Sequence, residues 1–285
     1  IVGNQPGDYT TIQAAVNAAN PGDTVYIRAG IYNENVTIPA GKDGLTLQAL
    51  SGPGTVILEG GFSNANGFGN VDGVQTGLAT WLKTAPGYID DTDNGITVGS
   101  NNVTLTNITV NDFYAAVTVS GASISGLTLD GVTMQSSMFG FEKLATTGLN
   151  GTTITNSTFT DGYMGAAFLN DIVGGSGLDA NDTSITNSDF SNIDTKGIYM
   201  ETAQGDTLLD GLTMNNVGQY GGVPSWLSNG KNGNGIDINL KYHTYTGDLT
   251  ISNFHLTDTG LSNGQSIPVG TGNQAGAIVV EGRDD

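Results

Sequence analysis

The sequence predicts an all-β solenoid in which short parallel strands from successive turns stack on one another. From residue 94 onward, short apolar strands alternate with tight Thr-Asn and Asp-Gly corners. The corner residues recur at intervals of 24, 25, 31, 24 and 42 positions, at Asn107, Gly131, Asn156, Asn187, Gly211 and Asn253. A repeat near 24 residues with occasional insertions is typical of a coil whose turns are structurally equivalent, with loops extending on one side.

The residues flanking these corners fit the packing that such a coil requires. Strands of successive turns lie about 4.8 Å apart, so equivalent residues form columns and an inward column must be apolar. The position two residues before each corner meets this requirement, with Leu105, Leu129, Ile154, Ile185, Leu209 and Ile251. Asn and Gly tolerate the left-handed backbone of a sharp corner, and stacked Asn amides can hydrogen-bond between turns.

These strands and corners resemble the right-handed parallel β-helix (pectin-lyase-like) superfamily over nearly the whole chain. The resemblance implies a right-handed parallel β-helix solenoid, and we expect a single domain spanning residues 1–285. Residues 1–40 form the cap and first turn, and 41–285 form the remaining turns. Insertions are expected near 60–94, 170–182, 218–233 and 259–274.

One short α-helix is predicted at the N-terminus, from Tyr9 to Ala19. Its apolar residues follow helical spacing, Thr10 or Thr11 can cap it, and Asn20-Pro21-Gly22 ends it. An open β-helix end would expose unpaired strand edges, so this amphipathic helix is interpreted as a cap.

The N-terminal part is also similar to pectinesterases. Gly30, Tyr32 and Glu34 match the Gly-x-Tyr-x-Glu element of that family, but the family's catalytic blocks are absent from the sequence. We therefore carry over no esterase activity and interpret Glu34 as a structural turn residue.

Composition excludes several classes of function. The net charge is −19, from 27 acidic and 8 basic residues, which disfavours nucleic acid as a partner because phosphates would be repelled. Cysteine is absent, and no apolar run is long enough for a membrane span. The acidity has two interpretations, turn chemistry with solubility or capture of Ca²⁺.

A calcium site is predicted at Asp90, Asp91 and Asp93, where acids precede Asn-Gly as in half of a calcium loop. A solvated turn is the alternative. The cysteine-free, acidic composition resembles bacterial proteins that are exported without a cleaved signal and fold outside the cell in Ca²⁺. We therefore expect an extracellular or cell-surface location.

A candidate site is predicted on strands in the C-terminal half, where alternation places Phe139, Phe141, Ile198 and Met200 inside and polar residues outside. The catalytic candidates are Glu142, Asp171, Glu201, Lys241 and His243, and the substrate-binding candidates are Tyr199, Trp226, Asp237, Asn239 and Tyr242. We expect one outward column to run from Glu142 through Asn170 or Asp171 to Glu201. Lys143 and Lys241 would lie nearby, unless they merely offset acids on a solvated face.

Carboxylates on adjacent turns would lie about 5 Å apart, as in retaining glycosidases, and those on alternate turns about 9 to 10 Å apart, near the inverting limit. A lyase or epimerase would need a base, for which Lys241, His243 or Tyr242 are candidates.

The function expected from the superfamily resemblance is binding or processing of a polysaccharide or cell-surface glycan along the parallel strands. The alternative is a structural or adhesive role, as an adhesin, surface-layer or filament subunit without catalysis. The last residues, Val279 to Asp285, follow a core strand directly, so we expect further domains or end-to-end stacking at that edge.

Overall fold

The computed structural model describes residues 1–62, 93–170, 177–201, 203–218, 233–241, 244–260 and 276–283, without the side chains of residues 241 and 283. Within these ranges it contains one α-helix and 23 strands, and every paired strand runs parallel to its neighbours. No helix in the described part of the chain is long and apolar enough to cross a membrane.

The strands form three faces, which each turn of the chain visits in order. Face 1 contains β1 (Thr24–Ile27), β4 (Thr46–Ala49), β7 (Thr104–Thr106), β10 (Ser123–Ser125), β11 (Thr128–Asp130), β14 (Gly148–Thr155), β16 (Ala180–Thr186), β18 (Ala203–Asp210) and β21 (Leu249–Ser252). Face 2 contains β2 (Gly30–Tyr32), β5 (Val56–Glu59), β8 (Ile108–Asn111), β12 (Thr133–Gln135), the first parts of β15 (Thr158–Phe168) and β17 (Asp189–Met200), β19 (Thr213–Val217) and β22 (His255–Thr259).

Face 3 contains β3 (Val36–Ile38), β6 (Asn94–Val98), β9 (Ala115–Val119), β13 (Phe139–Lys143), the second parts of β15 and β17, β20 (Asn234–Lys241) and β23 (Gly276–Arg283). Strands β15 and β17 both continue from face 2 into face 3, and their pairing shifts in register between Gly162 and Met164.

The predicted inward column is confirmed. The six residues Leu105, Leu129, Ile154, Ile185, Leu209 and Ile251 pair in register on successive strands of face 1. The first five are completely buried and the sixth packs against the same core. This column is therefore a continuous aliphatic stack along the coil, within a main core that also contains aromatic residues such as Phe141 and Phe159.

The predicted corners are confirmed as well, because all six corner residues have positive φ angles, between 49° and 67°. A second set of left-handed corners joins faces 2 and 3, at Asp112, Ser136, Asp161, Asn192, Asn216 and Asp258. There the Asn216 side-chain nitrogen donates to Asn192 Oδ1 on the preceding turn, at 2.9 Å. This is a hydrogen bond between stacked Asn side chains of the kind expected from the sequence.

The N-terminal helix α1 (Ile12–Ala18) is shorter than predicted but has the expected cap and buried face. Thr11 accepts a hydrogen bond from the Ala14 amide at 3.1 Å, and the helix ends before the extended residue Ala19. The two carboxylate oxygens of Glu34 accept the Ile12 and Gln13 amides at 2.7 and 3.0 Å. Because these helix-terminal amides lack partners within the helix, Glu34 has the structural role predicted for it.

Glycine forms a column on face 3 that the sequence analysis did not identify, at Gly95, Gly140, Gly165, Gly197 and Gly235. A Cβ atom added to Gly165 would lie 2.3 Å from the carbonyl oxygen of Gly197 on the next turn, and one added to Gly140 would lie 2.6 Å from the Phe159 ring. The backbones approach closely at these five glycines, and the register places alanines, Ala116 and Ala277, at the other positions of the column.

Strand alternation is interrupted at this column, and one inward assignment is therefore wrong. Phe141, Ile198 and Met200 lie in the main core as predicted. Phe139 instead packs in a separate apolar cluster with Phe62, Ala115, Met138, Tyr163 and Ala167. Strict alternation fails because the glycine between Phe139 and Phe141 also faces core side chains.

Candidate functional site

The outward residues of face 3 change character along the coil. Thr37, Thr97 and Thr118 occupy one column on β3, β6 and β9. The same column continues with Glu142 on β13, Ala167 on β15, Tyr199 on β17 and Asp237 on β20. Small hydroxyl side chains are thus replaced by ionisable and aromatic ones at equivalent positions.

The column predicted from Glu142 through Asn170 or Asp171 to Glu201 is wrong in register. Ala167 lies opposite Glu142, and Tyr199 follows on the next turn. Glu201 comes two residues after Tyr199, beyond the end of β17. The carboxylates of Glu142 and Glu201 therefore do not occupy equivalent positions on alternate turns, and strand spacing alone no longer gives them a glycosidase separation.

The described polar residues of this region, Lys143 among them, are buried and do not form a solvated face. Glu142 is 2% exposed, Asp237 3% and Asn239 4%. Burial of ionisable groups is costly unless each finds a partner. The partners of these groups therefore define what the site can do.

Lys196 and Asp237 form the centre of the cluster. The Lys196 ammonium lies 2.7 Å from Asp237 Oδ2, and both side chains are buried. The ammonium also lies 3.7 Å from the centroid of the Tyr199 ring, a cation–π contact. Asn234 donates through its side-chain nitrogen to the same Asp237 oxygen at 2.9 Å.

Tyr199 and Glu201 extend the cluster toward β15. The Tyr199 hydroxyl donates to Glu201 Oε1 at 2.7 Å, and the Asn170 amide donates to Glu201 Oε2 at 2.6 Å. Burial, with the neighbouring Glu201 charge, raises the pKa of Tyr199. Since both oxygens of Glu201 accept hydrogen bonds, its carboxylate holds Tyr199 and the chain at Asn170 in place.

Lys143 does not lie on the outward face. It occupies the inward register between Val119 and Phe168 and is 1% exposed. Its ammonium donates to the carbonyl oxygens of Leu169, at 3.0 Å, and Leu178. Burial lowers the pKa of Lys143 to about 8. Lys143 thus joins the two ends of the segment between residues 169 and 178.

The candidate residues did not include Lys196, Asn234 or the half-buried Asp194. Desolvation raises the pKa of the Asp194 carboxyl well above its ordinary value. A signal was present, because Lys196-Gly197-Ile198 and Asn234-Gly235-Ile236 repeat the same triplet pattern on successive turns. Aligning those triplets would have placed Lys196 beside Asn234.

Several predicted residues lie outside the described part of the chain. These are Asp171, Trp226, Tyr242 and His243 of the candidate site, the side chain of Lys241, and Asp90 and Asp91 of the calcium site. Asp93 is described, and its Oδ1 accepts a hydrogen bond from the Asn35 side chain at 3.0 Å. Within the described ranges no three His, Asp or Glu side chains are grouped so that they could hold a metal ion. The calcium site remains a prediction.

Comparison with protein-family models gives no match, and comparison with curated proteins gives none either. Among solved structures, pectate lyase Pel9A is 15% identical, with a TM-score of 0.54 over 100% of this chain and 76% of that chain. Escherichia coli ybhc is 15% identical, with a TM-score of 0.47 over 90% of this chain and 84% of its own. The pectin methylesterase from Aspergillus niger is 14% identical, with a TM-score of 0.44 over 94% and 89%. The likeness to Pel9A together with the parallel three-faced coil identifies the chain as a right-handed parallel β-helix with the pectin-lyase-like fold.

Proposed function

We propose that this chain binds a polysaccharide outside the cell, along the part of face 3 formed by β13, β15, β17 and β20. The observation that carries the proposal is the change within one column, from Thr97 and Thr118 to Glu142, Tyr199 and Asp237. The earlier turns demonstrate that the coil forms with neutral side chains at these positions. The charged and aromatic residues therefore serve something other than the coil itself.

The energetics of buried ion pairs also favour a role in binding over a role in stability. Replacing a buried ion pair with well-packed apolar residues is often neutral or stabilising, so a buried Lys196–Asp237 pair is weak evidence for a role in stability. A preformed set of polar groups beside an aromatic ring is what recognition of a polar ligand requires. A linear polymer suits a face whose columns repeat at each turn.

The solved structures with the same fold support a polysaccharide as the ligand class. Pel9A is named a pectate lyase, and the Aspergillus niger protein a pectin methylesterase. This fold hosts many activities, so the fold favours the class of ligand without choosing a reaction.

Binding is favoured over hydrolysis by the engagement of the carboxylates. Glu201 accepts two hydrogen bonds, and Asp237 is paired with Lys196 and Asn234. A general acid or base must exchange a proton with the substrate, which a carboxylate fixed in this way is poorly placed to do. Turnover by a hydrolase, lyase or epimerase would therefore depend on the other catalytic candidates, Glu142, Asp171, Lys241 and His243.

The test is a panel of neutral and acidic polysaccharides, with binding and product formation measured in the same samples with and without Ca²⁺. We expect binding that Tyr199→Ala weakens by at least about tenfold, because the ring and its hydroxyl are both removed. The matched control is Thr97→Val on the same face, which should leave affinity unchanged. Absence of binding to every polymer would favour the rival function, a structural or adhesive rod. Product formation would instead assign the chain to an enzyme class.

A further inference from the structure

Two oxygen atoms in the cluster on face 3 are buried without a hydrogen-bond partner among the described residues. They are Asp237 Oδ1 and Asn239 Oδ1, on side chains that are 3% and 4% exposed. Both residues belong to β20, and their separation by two positions places them on the same side of the strand. An unsatisfied buried acceptor destabilises the folded state, so two neighbouring ones call for an explanation.

The donors around these atoms are already engaged. The Lys196 ammonium and the Asn234 side-chain nitrogen both contact the other Asp237 oxygen, Oδ2. The Tyr199 hydroxyl donates to Glu201 Oε1, and Asn239 Oδ1 has no hydrogen-bond partner among the described residues. The two unsatisfied groups at this point of the cluster are therefore both acceptors.

We propose that Asp237 Oδ1 and Asn239 Oδ1 accept hydrogen bonds from hydroxyl groups of a neutral sugar unit. This inference rests on the polysaccharide-binding function proposed above and names the substrate class. A sugar hydroxyl supplies the missing donor, and a charge-assisted bond to a carboxylate such as Asp237 is stronger than a neutral one.

A divalent cation fits these atoms less well. Ca²⁺ takes six to eight oxygen ligands, and the described residues group no three acidic or His side chains around a possible metal. The Lys196 ammonium lies 2.7 Å from the same carboxylate and would repel a second positive charge nearby.

An acidic sugar fits poorly for the opposite reason. A uronate carboxylate brings an acceptor and a negative charge toward oxygens that are themselves acceptors. Of the described cationic side chains on face 3, Lys143 is bound to two backbone carbonyls and Lys196 to Asp237 and Tyr199. Where a carboxylate replaces the hydroxymethyl group at this point, it cannot donate to these oxygens, which then stay unpaired.

The test uses uronic acid polymers before and after chemical reduction of their carboxylates to hydroxymethyl groups, so that backbone and linkage are held constant. Polygalacturonate and mannuronan, each with its reduced form, provide two independent pairs. We expect a reduced form to bind the intact chain at least about tenfold more tightly than its parent, a difference typical of one lost polar contact.

A variant of Asn239 tests whether the preference for the neutral polymer depends on the proposed acceptor atoms. Asn239→Leu removes the acceptor at similar size, so it should reduce affinity for the reduced polymer about tenfold. Asn215→Leu replaces an exposed outward Asn on face 2 and should leave affinity unchanged. Melting temperatures of both variants identify any loss of fold.

The possible results test separately the preference for neutral sugar, its assignment to β20 and the proposed function. Equal or tighter binding of the uronate forms overturns the preference for neutral sugar but leaves polysaccharide binding standing. Unchanged affinity in a folded Asn239→Leu overturns the assignment to β20. Absence of binding to all four polymers and to the neutral panel overturns the proposed function and this inference together.

Discussion

The first and later turns of face 3 form the same structure from different chemistry. On β3, β6 and β9 the outward column holds threonine and the inward column ends in valine at Val98 and Val119. On β13, β17 and β20 the outward column holds Glu142, Tyr199 and Asp237, with Ala167 on β15 between the first two. The inward position after Val119 is Lys143. The backbone register is continuous across the change. The scaffold thus tolerates buried charge without needing it, and this is the main reason to assign function to the later turns.

The largest change in stability is expected when only one partner of the Lys196–Asp237 ion pair is removed. Asp237→Thr alone leaves the Lys196 ammonium buried without its carboxylate, and we expect a loss of about 3 to 5 kcal/mol in the free energy of unfolding. The double change Lys196→Ala with Asp237→Thr imitates the earlier turns and should recover most of that stability while abolishing polysaccharide binding. Denaturant unfolding of the three proteins measures this. A double variant as unstable as the single one would mean that the pair is structural.

Calcium provides the second test, and it concerns the segment before β6. We propose that Asp90, Asp91 and Asp93 bind Ca²⁺, which would stabilise the folded state by about 2.7 kcal/mol at a concentration of 100 times Kd. The melting temperature should therefore rise in millimolar Ca²⁺ relative to chelator, and less so in Asp91→Asn. An identical melting temperature in both buffers would leave these acids as turn and solubility residues.

The pH dependence of stability should show the effect of Lys143, which occupies an inward position held by valine on the two preceding turns. Burial lowers the pKa of Lys143 to about 8, below the unfolded value near 10.5. The unfolded state then binds more protons between these values, so the free energy of unfolding should increase as pH rises from 8 toward 10. Lys143→Met should lack this increase. Above pH 10 the raised pKa of Tyr199 acts in the opposite direction, so the comparison is best made between pH 7 and 9.5.

The smallest expected effect lies in the core of face 1. One inward column carries Val103 and Leu127 on earlier turns and then Thr152, Thr183 and Thr207, whose buried hydroxyl oxygens have no hydrogen-bond partner among the described residues. Thr183→Val keeps the shape and removes the unsatisfied hydroxyl, so we expect a gain of about 1 kcal/mol. Chemical denaturation should detect this. A loss of stability would reveal a partner for the hydroxyl.

Much of the fold was predictable because it depends on a repeated local requirement. The corner residues must adopt left-handed backbone, and the residues two positions earlier must be apolar, so Asn107 and Leu105 identify their turn without any tertiary information. Alternation was less reliable. It failed at Phe139, where the close approach of backbones at Gly140 interrupts the two-residue period.

The candidate site was predicted only in part, because it depends on register between turns of unequal length. Tyr199, Asp237 and Asn239 were identified from their outward phase on single strands. The pairing of Lys196 with Asp237 depends on which residues the insertion between β19 and β20 brings opposite each other. A count along the sequence does not give that register, whereas aligning the glycine triplets does.

The glycine column also bears on how such a chain acquires new specificity. An added methyl group at Gly165 or Gly197 would strike the carbonyl oxygen of the following turn, so the backbone there forms a fixed platform. The variable outward positions begin two residues later, with Glu142, Tyr199 and Asp237. Each turn therefore combines a backbone that stays constant with outward side chains that can vary. Recognition of a new polymer would then require changes to a few side chains per turn and leave the coil unchanged.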